Sequence, residues 1–144
     1  RGLCYSIYSF TASYVDGGIF GIYAGTGEDE VGELIPAVVG EIHKSMENLP
    51  EVEVARARAQ LKAGLLMSLE SSSAQCEQYA RQTLLFGRLL PTAEVIARVD
   101  EVDAEGLKRF AARTFSGARP TVAAMGPAGR LEDYAAFAAR FTLN

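Results

Sequence analysis

The strand-rich stretch from Leu3 to Gly25 constrains this sequence more than any other feature. It is rich in Tyr, Ile, Phe and Ser, and its centre, Val15-Asp16-Gly17-Gly18, has the residues of a tight turn. The pattern predicts a long β-hairpin. Alternate side chains point to opposite faces of a strand, and both faces of this hairpin are partly apolar. Because an isolated hairpin is only marginally stable in water, it is expected to belong to a larger, covered sheet.

Periodic apolar residues after the hairpin predict two amphipathic helices. The first has its N-cap at Thr26 and carries Pro36, which removes one backbone donor and therefore predicts a late start or a bend. The second spans residues 51–69. Its predicted buried face consists of apolar residues at helical spacing, namely Val54, Ala57, Leu61 and Leu65.

Three further helices are predicted beyond the serine run at 71–73. Ser72 and Gln75 form a capping box that opens a helix ending in front of Gly87. Two short helices begin at Thr92 and Asp103. The second of these is expected to bury Leu107, Phe110 and Ala111.

The end of the chain predicts one more strand and a closing helix. Pro120–Met125 is a short apolar run bounded by Pro120 and Gly126, which favours a strand. Strands followed by several helices and one strand are typical of an α+β fold, in which helices cover one face of a largely antiparallel sheet. We expect residues 1–144 to form a single domain of this kind. The closing helix is indicated by Leu131, Tyr134, Ala138 and Phe141.

Composition and charge argue against several classes of partner. The apolar run from Leu61 to Leu69 is interrupted by Lys62 and is much shorter than the roughly 20 residues that span a bilayer, so no membrane association is expected. The net charge is -4 with the two signs mixed along the chain, which predicts no nucleic-acid partner. Cys4 and Cys76 are interpreted as reduced, buried thiols, although one bridge remains open to them in an oxidising compartment. The start at Arg1 without Met is interpreted as that of an excised or processed fragment.

A complete catalytic site cannot be assembled from these residues. A zinc site takes three or four His, Cys or carboxylate ligands, and His43 is the one histidine. It is interpreted as an exposed or helix-end residue, and neither H-x-x-E-H nor H-E-x-x-H occurs. A nucleophilic Ser or Cys needs a neighbouring base, so the Ser71-Ser72-Ser73 run is interpreted as a capped helix break. Gly25-Thr26-Gly27 resembles a phosphate loop, but the acidic residues 28–30 would repel an anion there.

Several motifs together are more distinctive than the composition, and they resemble the pitrilysin/insulinase superfamily of inverted zinc metalloproteases. The resemblance is greatest to the mitochondrial processing peptidase branch and its bacterial relatives. It spans nearly the whole chain. The matching segments are 1–7 (RGLCYSI), 16–23 (DGGIFGIY), 57–72 (ARAQLKAGLLMSLESS), Arg81-Gln82, Phe86-Gly87-Arg88, 96–100 (IARVD), 102–105 (VDAE) and 121–127 (TVAAMGP).

The resemblance implies a role in a protease of two similar α+β halves that enclose a peptide substrate. Zinc belongs to the amino-terminal half, where it supports metal-assisted hydrolysis. This chain would be the end of the second half, with no metal or cofactor site of its own and no activity alone. Its partner would be the zinc-binding half or a separate subunit. A truncated sheet would expose a strand edge, to be covered by that partner or by a homodimer contact.

The resemblance also implies one candidate site residue, Tyr5. In the family an Arg and a Tyr of the second half assist the reaction, and Tyr5 matches the Tyr. Its phenol could donate a hydrogen bond to a substrate carbonyl or a developing oxyanion. By the family's spacing the Arg falls before residue 1, so Arg1 is not assigned that role. A bacterial cytoplasmic or periplasmic location is expected.

Two other interpretations remain open from the sequence. Some relatives are non-catalytic partners or core subunits of respiratory complexes, and an H-x-x-E-H motif in the same polypeptide would distinguish an enzyme from these. An unrelated α+β interaction module is the other alternative. A fold without the hairpin at Leu3 to Gly25 would favour that module.

Overall fold

The computed structural model describes residues 2–142, which fold into a two-stranded antiparallel sheet and a set of helices, in agreement with the predicted α+β class. No helix within this described range is both long and apolar enough to cross a membrane. The elements in chain order are β1 (Ser6–Ser13), β2 (Gly18–Gly25), α1 (Val31–Glu47), α2 (Glu51–Ser68), α3 (Ser72–Phe86), α4 (Thr92–Asp100), α5 (Ala104–Phe115) and α6 (Tyr134–Ala139).

The predicted hairpin is confirmed. β1 and β2 pair without a bulge, and Ser6 lies opposite Gly25 at the open end while Ser13 lies opposite Gly18 at the turn. The Tyr14 amide donates to the Gly17 carbonyl over 2.9 Å and closes the turn. Paired residues share a face, so this register fixes which aromatic side chains lie side by side.

The chain divides into two compact units. One contains the residues up to Asn48 together with those from Lys108 onward, and the other is Leu49–Leu107. The assignment of residues 1–144 to a single domain stays a prediction.

The first unit has a small core to which the hairpin contributes one face. The Phe20 ring of β2 meets Phe115 of α5 edge to face, with ring centroids 5.2 Å apart. Phe137 and Phe141 pack in the same edge-on manner, and the Phe141 carbonyl accepts a hydrogen bond from the Gly117 amide. The buried apolar side chains among the described residues of this unit are Leu34, Val39, Ala111 and Phe141.

α1 begins later than its predicted cap. Thr26 is not the N-cap, because its hydroxyl donates to the Leu3 carbonyl 2.5 Å away, and Glu30 occupies the N-cap position without a side-chain hydrogen bond. Pro36 lies inside the helix rather than before it. Asp29 pairs with Arg130 at 2.8 Å, so the acidic residues ahead of α1 are already partly compensated.

The strand predicted at Pro120–Met125 is wrong. Within the described residues this segment is exposed and makes no ladder, because neither edge of the hairpin pairs with it. Its one anchor is a 2.9 Å hydrogen bond from the Tyr134 hydroxyl to the Pro120 carbonyl. The apolar composition of residues 120–125 is therefore not enough to predict a strand, because it does not show which strand would pair with this segment.

In the second unit α2 packs on α4 through a different face from the one predicted. Val54 is buried as expected, whereas Ala57 and Leu61 are exposed. The less exposed side of α2 continues instead through Arg58 and Lys62, which follow Val54 at intervals of four residues. Those two side chains hold the end of α4: Arg58 donates to the Val102 carbonyl at 2.6 Å and Lys62 pairs with Asp100 at 2.6 Å.

α3 and α5 each show one smaller difference from prediction. α3 is capped by Ser71 rather than Ser72, and its hydroxyl accepts a hydrogen bond from the Ala74 amide. Asp103 opens α5 as predicted and accepts from the Gly106 amide at 2.6 Å. In α5 Ala111 is buried, but Phe110 is 49% exposed because it lies on the outer side of the helix.

The loop between α3 and α4 is held from both ends. Gly87 terminates α3 in the left-handed conformation, with φ of 67°, as a helix-ending glycine should. The buried Gln82 then accepts a hydrogen bond from the Leu90 amide at 2.9 Å. Across the loop Arg88 makes a two-pronged contact with Glu94, at 2.9 and 2.7 Å, and Arg98 adds a third bond to the same carboxylate.

Gln82→Leu should destabilise the protein, because it removes the acceptor of the Leu90 amide and leaves that donor unpaired in a partly buried site. Loss of one buried partner costs about 1–3 kcal/mol. The free energy of unfolding from urea titration measures the effect. Gln60→Leu, on an exposed helical position, is the matched control and should change stability little; equal effects of both substitutions would contradict the assignment.

Glu94→Gln should destabilise the protein in a pH-dependent way. The hydrogen bonds from Arg88, with the charges of Arg88 and Arg98, lower the pKa of Glu94 from 4.5 to about 2. A carboxylate with a depressed folded-state pKa stabilises the fold above its ordinary value, and that contribution disappears as the pH falls toward about 2. Wild type and variant should therefore differ in unfolding free energy at pH 7 and converge below pH 4.5.

The control is Glu77→Gln, whose partner among the described residues is Arg81, 3.5 Å away, with both side chains exposed. Exposed pairs of this kind contribute little to stability. A difference for Glu94→Gln that stayed constant down to pH 2 would contradict the role of the ionised carboxylate.

Candidate functional site

Tyr5 lies directly before β1, at the open end of the hairpin. Its backbone amide donates to the Gly25 carbonyl at 3.0 Å, which extends the ladder by one bond beyond the Ser6–Gly25 pair. The residue is 82% exposed. Its backbone is thus fixed while its side chain faces solvent.

The ring of Tyr5 lies against the backbone of Gly25. A β-carbon built on Gly25 would stand 2.6 Å from Cε2 and 2.8 Å from Cζ of that ring, and 2.9 Å from the Ser6 hydroxyl. Such distances are shorter than any van der Waals contact allows. The ring therefore occupies the place that a side chain at Gly25 would take, on the same face as Ser6.

The phenol of Tyr5 is free to act as a donor. Among residues 2–142 its hydroxyl makes no hydrogen bond. A phenol can both donate and accept, and here both functions are open to an incoming molecule. This is the chemistry that a hydrogen bond to a substrate carbonyl requires, with no change in ionisation.

Three aromatic side chains lie on the face of the hairpin that carries Ser6 and Gly25. Tyr8 and Tyr23 are opposite each other and stack with centroids 5.0 Å apart, and Phe10 follows Tyr8 at 6.4 Å. The Phe10 ring covers Gly21 much as the Tyr5 ring covers Gly25. Each of these rings is about half exposed. The alternation of β1 predicts the shared face of Tyr8 and Phe10, but only the register shows that two glycines of β2 make room for rings.

The described part of the chain contains no cluster of three or more His, Cys, Asp or Glu side chains that could hold a metal ion. His43 is half-buried in α1 rather than exposed, and its Nε2 is screened from solvent without a hydrogen-bond partner among the described residues. The cysteines are unpaired, yet Cys76 is exposed and Cys4 half-buried, so the expectation that both are buried is wrong.

The structure does not bring the other candidates from the sequence into one site with Tyr5. The glycine-containing loop at 25–27 is occupied by the Glu30 carboxylate, which lies where a β-carbon of Gly27 would point. A carboxylate in that place opposes phosphate binding. Arg1 lies outside the described residues. Sequence reasoning missed Gly25 as a member of the site, and the signal for it was the register of the hairpin.

Comparison with known proteins gives consistent matches. Residues 1–61 match the family described as the Peptidase M16 inactive domain. The chain is 37% identical over 132 residues to the mitochondrial-processing peptidase subunit beta of Mus musculus, covering 92% of this chain and 27% of that protein. It is 38% identical to the probable mitochondrial-processing peptidase subunit beta of Arabidopsis thaliana, covering 96% and 26%. An uncharacterised zinc protease of Streptomyces coelicolor is 32% identical, covering 92% and 30%.

A solved structure shows the same fold. A chain of Complex III2 from Candida albicans, with Inz-5 bound, superposes with a TM-score of 0.88 at 24% identity, covering 95% of this chain and 33% of that one. The chain thus spans about a quarter to a third of the length of the relatives it matches. With the hairpin present, the alternative of an unrelated α+β module is wrong. The resemblance that the motifs predict is confirmed: residues 1–61 match the inactive domain of the peptidase M16 family, and 92% of the chain aligns with the processing-peptidase and zinc-protease relatives.

Proposed function

We propose that this chain is the substrate-holding, zinc-free portion of a zinc-dependent endopeptidase that cleaves peptides enclosed between two similar halves. The observation that carries the proposal is Tyr5, whose backbone is fixed by Gly25 and whose hydroxyl is unoccupied among the described residues. The chain supplies a hydrogen bond, and the metal chemistry belongs elsewhere.

The Tyr5 phenol acts on the carbonyl oxygen of the peptide bond to be cleaved. That oxygen becomes more negative as water adds to the carbonyl carbon, so a donor already aimed at it binds the transition state more tightly than the substrate. A phenol suits this task because it stays neutral and needs no proton transfer. Zinc bound in the other half would supply an activated water and a positive charge at the reacting group.

The partner in this proposal is an amino-terminal zinc-binding half or a separate subunit. Two features of the described residues support a partner. The hairpin has an unpaired edge on each side, and several of its large side chains are about half exposed. Unpaired strand edges attract other strands, so covering them with another part of the protease, or with a second copy of this chain, is favourable.

The chain alone should show neither peptide hydrolysis nor stoichiometric zinc, because the described residues lack a ligand cluster. Together with the zinc-binding half it should support turnover. Cleavage of a quenched fluorescent peptide and metal analysis by mass spectrometry measure both properties for the chain alone and for the assembled protease. One zinc per chain, or turnover by the chain alone, would contradict the proposal.

Tyr5→Phe in the assembled protease should lower kcat by about 100- to 1000-fold, the scale for losing one oxyanion donor. KM should change much less, because the bond strengthens in the transition state. Steady-state kinetics on one peptide measure both constants. Tyr8→Phe is the matched control, since it removes the same hydroxyl from another exposed tyrosine of the same hairpin. Unchanged kcat for Tyr5→Phe would instead favour a non-catalytic subunit.

A further inference from the structure

Gly25, at the end of β2, and the following Thr26 hold the backbone around Tyr5 by two hydrogen bonds. The Gly25 carbonyl accepts from the Tyr5 amide at 3.0 Å, and the Thr26 hydroxyl donates to the Leu3 carbonyl at 2.5 Å. These two bonds fix the backbone on both sides of Cys4. The ring then lies across Gly25, so three contacts define where the phenol stands.

The backbone conformation of residue 25 does not itself require a glycine. The glycines with positive φ in the described chain are Gly2, Gly87, Gly117 and Gly126, and Gly25 is not one of them. A glycine inside a strand weakens it and often marks a close approach by another group. At Gly25 the approaching group is the ring of Tyr5, at a distance that a β-carbon would prevent.

We propose that Gly25 is a positioning residue for Tyr5, and that Thr26 assists it by holding the Leu3 carbonyl. This inference rests on the proposed role of Tyr5 in peptide hydrolysis. Gly25 leaves room for the ring beside β2, and this contact limits the directions in which the hydroxyl can point. A donor held in one direction contributes more to the transition state than one that rotates freely, because less motion has to be lost during the reaction.

Gly21 provides a matched comparison within the same strand. It lies opposite Phe10, on the same face as Gly25, and a β-carbon there would stand 2.2 Å from Cζ of the Phe10 ring. Gly21→Ala and Gly25→Ala therefore make the same change in the same strand, and each displaces one exposed ring. Phe10 has no hydroxyl, so only Gly25→Ala moves a donor.

The experiment is a set of double-mutant cycles in the assembled protease, containing this chain and its zinc-binding half. Gly25→Ala should lower kcat by about tenfold, the order expected for a misplaced group, with a smaller change in KM. In the Tyr5→Phe background it should have no further effect on kcat. Thr26→Val should behave in the same way, and Thr26→Ser, which keeps the donor, should restore kcat. Gly21→Ala should change kcat equally little with Tyr5 or Phe at residue 5.

The outcomes separate the two proposals. If Tyr5→Phe lowers kcat but Gly25→Ala does not, the positioning role is wrong while the proposed function stands. Equal losses from Gly25→Ala in both backgrounds would also overturn it, because the glycine would then act through strand stability. Thermal unfolding of Gly21→Ala and Gly25→Ala measures that structural cost directly. If Tyr5→Phe has no effect on kcat, the proposed function and the positioning role fail together.

Discussion

The antiparallel register of β1 and β2 is the constraint on which the rest of the site depends. Side chains alternate across a strand, so a shift of one residue would turn every side chain of β1 to the other face. In the observed register Ser6 faces Gly25 and Phe10 faces Gly21. Beside the first pair the Tyr5 ring lies over Gly25, and in the second pair the Phe10 ring lies over Gly21. The same register puts Phe20 on the opposite face, where it meets Phe115 of α5.

The two faces of the hairpin therefore have different roles in the fold. Phe20 ties one face to the small core of its unit. The other face carries Tyr8, Tyr23 and Phe10, which contact one another but remain about half exposed. Aromatic pairs stabilise each other by about 0.5–1.5 kcal/mol beyond their burial, which helps a hairpin with little core beneath that face. In the proposed protease, contacts with the remaining parts would bury more of this surface.

The sequence predicts the hairpin and most helix bounds because these depend on local patterns. Alternation, turn residues and helical spacing act over a few neighbours, and β1, β2 and α3 agree with them. Its errors concern choices that distant residues decide. Thr26 does not cap α1 because its hydroxyl finds Leu3, 23 residues earlier. Pro120–Met125 forms no strand because strand formation needs an adjacent edge, which composition alone cannot supply.

The site shows the same division between local and distant information. Tyr5 was found through a motif, which records a residue type and its spacing. Gly25 was not, since a glycine near the end of a strand has many explanations until the opposite strand is in register. Once the pairing is known, the glycine has a specific explanation, because the Tyr5 ring occupies the space that a side chain at residue 25 would need. In the proposed protease, a domain whose described residues hold no metal cluster would therefore still contribute to the reaction. Its contribution would be the direction of one neutral hydrogen bond from Tyr5. That direction depends on the pairing of β1 with β2 and on the missing side chain at Gly25.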